Sequence, residues 1–329
     1  MHYKAFVVEE VNGQYLSSVQ MLDTTDLPQN EVLVQVHYSS LNYKDALSAT
    51  GNKGVTKNYP HTPGIDAAGV VVETKSSSFN IGDEVIVTGY DLGMNTPGGF
   101  GEYICVPAAW IVKLPDGLTL KESMIIGTAG FTAGISMLRL MDLVQPDDGK
   151  IVVSGATGGV GSMALAMLTK KGYAKIAVSG KQEEYEFLKQ CGADEIIARR
   201  DFMSADDKAL FPATYAGAID TVGGDILARI IKSLHPLGAV TTCGSVASTN
   251  LPLNVFPFIL RAVTLIGISA QNYPTELRPA LWQRLATDLK PDSLLNMYQE
   301  INLEQLPDAI QLILSGKIKG RMVVRLESS

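Results

Sequence analysis

The chain has 329 residues, of which 46% are hydrophobic and 19% charged, and its formal net charge at pH 7 is −7. This much apolar material excludes a disordered chain, and the length predicts two domains, because single cores stop growing at about 250–300 residues. The acidic balance gives the protein no general attraction for nucleic acid or for an anionic membrane.

Cysteine usage and the distribution of apolar residues indicate a reducing, aqueous compartment. Cys105, Cys191 and Cys243 lie far apart and form no Cys-x-x-Cys pair, so neither a disulfide framework nor a metal clip built on cysteine pairs is predicted. No basic region followed by an apolar stretch is visible at the N-terminus, and the uncharged runs 151–169 and 238–260 contain glycine, proline or polar residues. We therefore expect a cytoplasmic protein that does not span a membrane.

Short strands and turns fill the first third of the chain. Residues 32–38 alternate in strand period, and residues 68–73 and 81–87 have the composition of further strands. Residues 89–101 hold five glycines and a proline, which predicts a loop. Strands this short predict a small barrel or sandwich.

From about residue 120 to residue 245 the pattern changes to buried strands that alternate with helices. The predicted strands are 151–153, 175–179, 218–220 and 239–242, and the predicted helices are 163–171, 183–190 and 226–234. Such alternation predicts a parallel sheet covered by helices, and hence an α/β fold. A strand at 263–268, helices at 279–289 and 306–314, and a strand at 321–326 are predicted to follow.

A glycine motif predicts a dinucleotide site. It lies directly after the 151–153 strand, and its spacing is Ala156-x-Gly158-x-x-Gly161. The small Ala156 permits a tight turn, Gly158 lets backbone N–H groups approach a pyrophosphate, and Gly161 lets the helix pack closely on the strand. The predicted loop residues are Ala156, Thr157, Gly158, Gly159, Val160 and Gly161, and an ordinary strand–helix turn is the alternative.

The end of the second strand favours NADP over NAD. NAD enzymes usually carry an acidic residue there, which holds the ribose 2′-hydroxyl and would repel a 2′-phosphate. Here the strand ends in Ser179, Gly180 and Lys181, so a hydroxyl and a cation are offered instead. Arg199 follows the next strand and could add charge, whereas Arg200 is more simply explained as a solvated surface residue.

Six segments together resemble a known family. They are residues 39–47, 63–66, 127–133, 155–161, 218–223 and 257–261. The chain resembles a zinc-free member of the medium-chain dehydrogenase/reductase superfamily, and more narrowly the YhdH/YhfP quinone oxidoreductase group, which includes the acrylyl-CoA reductases. The resemblance implies a GroES-like, barrel-containing catalytic domain over residues 1–122 and 268–329, with a Rossmann NADP-binding domain over residues 123–267 inserted between them.

The same resemblance implies that no catalytic metal is present. Zinc-dependent relatives carry ligands where this sequence has the 42–45 segment and Gly64-Ile65-Asp66. The four histidines are scattered along the chain, and no Cys/His cluster supplies three or four ligands.

The implied catalytic residues are Asn42, Tyr43, Asp45 and Asp66. By family position, Asn42 would donate an amide hydrogen bond, Tyr43 would offer a ring and a hydroxyl, and either aspartate could belong to a proton relay. A structural cap or turn acceptor is an equal alternative for each aspartate.

Further cofactor contacts are implied by the family layout. They are Tyr43, Thr128, Thr132, Gly244, Ser245, Val246 and Ser269. Thr128 and Thr132, with Gly127 and Gly130, would let a helix approach the nicotinamide closely, although tight helix packing explains the same residues.

Three functions follow from these expectations. The first is NADPH-dependent reduction of an activated C=C bond, in a short α,β-unsaturated acyl-CoA such as acrylyl-CoA, a substrate that the resemblance implies. The second is NADPH:quinone reduction, and a third, of another class, is a non-catalytic NADPH-binding sensor or partner-binding protein. The apolar run 263–268 could pair across a two-fold axis, so a homodimer is also expected.

Overall fold

A computed structural model describes residues 1–203 and 208–326 of the chain. The chain folds as two compact units. Unit 1 comprises Met1–Thr128, Gln271–Ala286 and the residues from Tyr298 onward, and unit 2 comprises Ala129–Ala270 and Thr287–Met297. The units change over at residues 128 and 270 and the predicted domains at residues 122 and 267, and Thr287–Met297, which lie in the predicted catalytic segment 268–329, belong to unit 2. Residues 204–207 and 327–329 of the predicted domains lie outside the described residues.

The described residues form fifteen β-strands and nine α-helices. The strands are β1 (His2–Val11), β2 (Gln14–Asp23), β3 (Val32–Leu41), β4 (Asp66–Thr74), β5 (Glu84–Thr88), β6 (Tyr103–Val106), β7 (Ile111–Lys113), β8 (Ile151–Ser154), β9 (Lys175–Ser179), β10 (Glu195–Ala198), β11 (Tyr215–Asp220), β12 (Leu234–Thr242), β13 (Thr264–Gly267), β14 (Tyr298–Ile301) and β15 (Arg321–Arg325). The helices are α1 (Tyr43–Ala49), α2 (Leu120–Met141), α3 (Gly159–Lys170), α4 (Tyr185–Gln190), α5 (Arg199–Phe202), α6 (Gly224–Lys232), α7 (Phe256–Arg261), α8 (Arg278–Ala286) and α9 (Leu306–Leu314).

Unit 1 contains a seven-stranded sheet built around β3. The strand order is β14-β15-β3-β4-β5-β7, and β6 also pairs with β3. Val32, Val34 and Val36 of β3 are buried in the core, as their alternation predicts. Because β3 pairs with β15 and β4, its end at Leu41 lies beside the first residues of both strands.

The β1–β2 hairpin of unit 1 was not predicted. Its strands pair over their whole length, from His2 with Asp23 to Val11 with Gln14. Asn12 and Gly13 form the turn with φ values of 52° and 78°. An Asn-Gly dipeptide between two strands is the sequence signal of such a hairpin.

Unit 2 contains a six-stranded parallel sheet. The strand order is β10-β9-β8-β11-β12-β13, and every neighbouring pair in it is parallel. The order reverses direction between β8 and β11, so the ends of these two strands form the switch point where such sheets bind ligands. The predicted parallel sheet and the α/β fold are confirmed.

Helix α2 is the long apolar helix of the chain, and it is broken at Gly127 (φ 50°, ψ −162°). Its length and composition would suffice to cross a membrane, and no other helix of the described residues passes the same test. However, 78% of its most apolar window is buried inside the protein, as in the core helix of a globular fold.

Candidate active site

Asp66, the first residue of β4, is a fully buried carboxylate in unit 1. Its Oδ2 accepts hydrogen bonds from Ser40 Oγ (2.6 Å), Asn42 Nδ2 (2.8 Å) and the backbone N–H of Thr128 (2.9 Å). Its Oδ1 accepts from Thr128 Oγ1 at 2.5 Å. The single hydrogen of the Thr128 hydroxyl is thus committed to Asp66, and toward a ligand this oxygen can only accept.

Arg321, the first residue of β15, faces the same carboxylate. Its guanidinium is 3% exposed, and Nη2 lies 3.9 Å from Asp66 Oδ2. The guanidinium donates to four further groups: Ser40 Oγ (2.9 Å), Asn42 Oδ1 (3.3 Å), Leu41 O (3.4 Å) and Ile125 O (3.1 Å). We refer to Ser40, Asn42, Asp66, Thr128 and Arg321 as the Asp66 network.

Gly127 lets α2 pass directly over the Asp66 network. A Cβ at this position would lie 2.6 Å from Ser40 Oγ and 2.7 Å from both Arg321 Nη2 and Asp66 Oδ2. The φ of 50° with ψ of −162° is also a conformation that only glycine adopts readily. The break in α2 therefore places the backbone N–H of Thr128 beside the Asp66 carboxylate, which accepts its hydrogen bond.

Asn42 uses its whole side-chain amide inside the protein. Its Nδ2 donates to Ser40 O (3.2 Å) as well as to Asp66, and its Oδ1 accepts from Arg321. An amide with two hydrogens committed in this way holds the network together. The predicted donation from Asn42 to a substrate oxygen would require at least one of these bonds to be exchanged.

Asp45 is fully buried and acts as a cap in this structure. Its Oδ2 accepts from the backbone N–H of Asn42 (2.7 Å), and its Oδ1 accepts from that of Ile65 (2.8 Å). Burial, and after it the charge of Asp66, raise the pKa of Asp45 to about 7. These two hydrogen bonds support the alternative that Asp45 is a structural cap. A carboxyl group that is protonated near neutral pH is compatible both with a cap and with a member of a proton relay.

Tyr43 is the exposed member of the four predicted catalytic residues. Its side chain is 43% exposed at the first position of α1, whereas Asn42 is 8% exposed and both aspartates are fully buried. Of these four residues, Tyr43 is therefore the one that presents a ring and a hydroxyl to a ligand without rearrangement.

The glycine loop of unit 2, residues 155–161, has the geometry that its sequence predicts. A Cβ on Gly161 would lie 2.4 Å from Gly155 O and 2.8 Å from the Cα of Ala156, so the close packing of α3 on the loop requires glycine. The first helical hydrogen bond runs from Ser162 N to Gly158 O. The preceding N–H groups of the helix have no intrahelical acceptor and can bind a phosphate.

A second buried carboxylate braces this loop. Asp220, the last residue of β11, accepts from Ser154 Oγ (2.6 Å), Thr242 Oγ1 (3.0 Å) and Gly223 N (2.9 Å). Ser154 directly precedes the glycine loop and also pairs with Thr221 through two hydrogen bonds. Asp220 therefore joins the carboxyl ends of β8, β11 and β12, where the sheet changes direction.

The residues predicted to select NADP lie together at the end of β9. A Cβ on Gly180 would lie 2.6 Å from Arg199 Nη2, which places that guanidinium over Gly180. Ser179 Oγ accepts from the backbone N–H of Lys181 at 3.0 Å. Burial lowers the pKa of Lys181, Glu184 and Glu183 oppose this, and the like charge of Arg199 lowers it further. Two cations and a hydroxyl thus converge, and Arg200 instead pairs with Asp201.

The remaining predicted cofactor contacts lie in unit 2. Gly244, Ser245 and Val246 follow β12, and Val246 is 70% exposed. Ser269 is exposed after β13, and Thr132 is buried in α2. Burial raises the pKa of the Cys243 thiol to about 12, which suits a core residue rather than a nucleophile.

At the positions of zinc ligands in the zinc-dependent relatives, Ile65 contributes no ligand atom, and Asn42 and Asp45 are committed to the hydrogen bonds described above. Among the described residues, no three His, Cys, Asp or Glu side chains come together as a metal-binding group.

Three residues on which this arrangement depends had no predicted role: Ser40, Asp220 and Arg321. Arg321 is bonded to Ser40 across 281 positions of the chain, so no local pattern could join them. The available signal was a charged residue at the start of the apolar strand Met322-Val323-Val324.

Two family models match the chain. The alcohol dehydrogenase GroES-like domain matches residues 28–116, and the zinc-binding dehydrogenase domain matches residues 159–287. The putative quinone oxidoreductase YhfP of Bacillus subtilis is 44% identical over 326 residues, which cover 98% of this chain and 99% of that protein. The chain belongs to the medium-chain dehydrogenase/reductase family.

Within this family, the chain is similar throughout its length to an acrylyl-CoA reductase. The probable acrylyl-CoA reductase AcuI of Escherichia coli is 43% identical over 324 residues, covering 98% of this chain and 99% of that protein. The predicted resemblance to the YhdH/YhfP group is confirmed.

Solved structures of this group have the same fold. The yhdH oxidoreductase of Salmonella enterica, in complex with NADP, has a TM-score of 0.95 and 42% identity, and the match covers 98% of this chain and 100% of that one. The yhfP protein of Bacillus subtilis, with NAD bound, has a TM-score of 0.96 and 42% identity over 99% of this chain and 100% of that one. The two relatives thus differ in the dinucleotide they hold.

Proposed function

We propose that this protein reduces the C=C bond of a short α,β-unsaturated acyl-CoA, such as acrylyl-CoA, with NADPH. The observation that carries the proposal is the similarity to the probable acrylyl-CoA reductase of Escherichia coli over 98% of this chain. We propose that unit 1 is the catalytic domain and that unit 2 is the cofactor-binding domain.

The residues of unit 2 fit NADPH. The N–H groups at the start of α3 would bind the pyrophosphate, with Asp220 holding the glycine loop in place. Ser179, Lys181 and Arg199 would bind the 2′-phosphate, because a dianion relieves the repulsion between two like charges. When bound, NADPH supplies the hydride.

The residues of unit 1 fit the substrate side of the reaction, which is the binding of the thioester and the supply of a proton. Hydride addition at the β-carbon of the thioester leaves negative charge on its oxygen, and a proton at the α-carbon completes the reduction. Tyr43 offers an exposed ring and hydroxyl, and the Asp66 network fixes Thr128 and Asn42. The proton donor is proposed to be Tyr43 or a water molecule rather than Asp45, whose oxygens accept backbone N–H groups.

Turnover with purified protein tests the proposal. NADPH oxidation would be followed with acrylyl-CoA, crotonyl-CoA and a small quinone, and each assay repeated with NADH. We expect acrylyl-CoA to be reduced fastest and with NADPH. Turnover of the quinone alone would establish the quinone reductase instead, and NADPH binding without turnover of any of the three would favour the non-catalytic sensor.

Arg199 and Arg200 offer a matched test of the cofactor. Replacing Arg199 by alanine should weaken NADPH binding about tenfold, because one charge-assisted contact to the 2′-phosphate is lost, and should leave NADH binding unchanged. Arg200→Ala, at the neighbouring exposed position, should change neither. Equal losses for NADPH and NADH in Arg199→Ala would contradict the phosphate assignment.

A homodimer and a cytoplasmic location also belong to this proposal. Strand β13 is an edge strand of its sheet, and Val255, Ile259 and Leu260 nearby in the chain are each more than 60% exposed. An apolar edge of this kind is suited to a second copy of the chain. The three cysteines are free, as expected in a reducing compartment.

Light scattering tests the dimer. Ile259→Glu should convert a dimeric mass to a monomeric one, because a charge would be placed in an apolar contact. Ile81→Glu is the control, since Ile81 is also exposed (72%) but lies in the turn before β5. A monomeric mass for the unmodified protein would exclude the dimer.

A further inference from the structure

The Asp66 network joins two segments of the chain that carry proposed ligand-binding residues, Tyr43 and Thr128. One segment is residues 40–42, which are the last two residues of β3 and the N-cap of α1, and it leads directly into Tyr43. The other is the break in α2, where the Ile125 carbonyl lies on one side of Gly127 and Thr128 on the other. Both segments belong to unit 1.

One guanidinium touches both segments. From β15, Arg321 donates to the carbonyl of Ile125 on α2 and to Ser40, Leu41 and Asn42 at the end of β3. Asp66 repeats the connection from β4, because it binds Ser40 and Asn42 on one side and Thr128 on the other. The position of Tyr43 relative to Thr128 therefore depends on the Arg321 guanidinium and the Asp66 carboxylate, which hydrogen-bond to both segments.

We propose that Arg321 is a positioning residue for the reduction: its buried guanidinium fixes the start of α1, with Tyr43, against the restart of α2 at Thr128. This rests on the proposed function. Arg321 is itself 3% exposed and acts through its neighbours rather than on the substrate. A planar fork with five donors is required for this task, and a lysine cannot make the same set of contacts.

The charges around Arg321 predict a second effect. Asp66 and Asp45 both stabilise its charge, Lys44 of α1 faces Asp45, and Arg278 of α8 faces Asp66. Without the guanidinium, two buried carboxyl groups would have one nearby cation fewer. In Arg321→Ala the pKa of Asp45, which burial and the charge of Asp66 already raise to about 7, should therefore rise further, and the pH dependence of unfolding would record the change.

Arg321→Ala and Arg321→Lys test the proposal against a matched control. In both variants we expect kcat to fall about ten- to a hundredfold through misplacement of the reacting groups, with the Kd of NADPH changed less than about twofold. Arg325→Ala is the control, since Arg325 lies on the same strand, is 60% exposed and pairs with Glu300 at 3.9 Å. It should keep the activity of the unmodified protein.

Chemical rescue separates positioning from general stability. Guanidinium ion, added far below unfolding concentrations, should restore part of kcat in Arg321→Ala and none in Arg321→Lys. If Arg321→Ala does not fold, the loss of kcat in folded Arg321→Lys, with NADPH binding retained, carries the test. Unchanged kcat in folded variants, or a loss that only follows the folded fraction, would overturn the inference. Failure of the unmodified protein to reduce acrylyl-CoA would instead count against the proposed function, and the Arg321 variants would be assayed on the substrate that it does reduce.

Discussion

Asp66 in unit 1 and Asp220 in unit 2 are both fully buried carboxylates at the end of a strand, yet their charges are balanced differently. Asp66 has a guanidinium 3.9 Å away as well as its neutral donors. Asp220 has no ion-pair partner among the described residues, and it is bound by Ser154, Thr242 and the Gly223 N–H that precedes α6.

The difference shows two ways of holding a buried negative charge. Around Asp220, two hydroxyl groups and one backbone N–H suffice, because the hydroxyls lie at the ends of the neighbouring strands β8 and β12 and the N–H lies at the start of α6, three residues after Asp220. Around Asp66 the donors come from three separated segments, which are residues 40–42, Thr128 and Arg321, and Arg321 itself contacts the other two segments. We infer that unit 1 uses a cation because it must hold the break in α2, which belongs to no strand pairing, against the paired ends of β3, β4 and β15.

Loss of the charge at position 66 should be the most damaging change. Asp66→Asn leaves Arg321 buried without its carboxylate, and breaking a buried pair in this way costs about 3–5 kcal/mol of unfolding free energy. Calorimetry would measure this as a lower unfolding temperature. The double variant Asp66→Asn with Arg321→Met should recover part of the loss, because the orphaned charge is removed; a further decrease would contradict the pairing.

The two regions also differ in how far the sequence predicts them. The glycine loop and the start of α3 follow from the eleven consecutive residues 151–161, since tight turns and helix starts are decided locally. In unit 1, Asn42, Asp45 and Asp66 were implied only by family resemblance. Arg321 was missed, because its contacts are set by the pairing of β15 with β3 at the other end of the chain.

Gly127→Ala should be the next largest perturbation, because it pushes a methyl group into the Asp66 network. Strained backbone and contacts below 3 Å together should cost about 2–4 kcal/mol. The control in unit 2 is Gly172→Ala, where φ is +75° and nothing lies within 4 Å, so only about 1 kcal/mol of backbone strain is expected. Similar losses in calorimetry for the two variants would mean that the crowding around Gly127 relaxes.

Asp220→Asn should be milder than Asp66→Asn, because no buried cation is left behind. One of its donors would lose an acceptor, at a cost of about 1–3 kcal/mol. The displaced glycine loop should also weaken NADPH binding several-fold, which fluorescence titration would measure. A stability loss as large as that of Asp66→Asn would show that the balance of charge is not what distinguishes the two carboxylates.

The last prediction is a pH dependence, and it concerns Asp45, a second carboxyl group beside Asp66. Burial and the charge of Asp66 raise its pKa to about 7 in the folded protein, above the 3.8 of a free carboxyl. Between about pH 4 and about pH 7 the folded state therefore retains a proton that the unfolded state releases, so this group's contribution to stability is full below that window and is lost as pH rises through it. Unfolding measured across the window should show a decrease with pH that Asp45→Asn reduces and Asp220→Asn does not. If the unmodified protein and Asp45→Asn gave parallel pH profiles, Asp45 would have to be ionised throughout, with its two N–H donors outweighing burial.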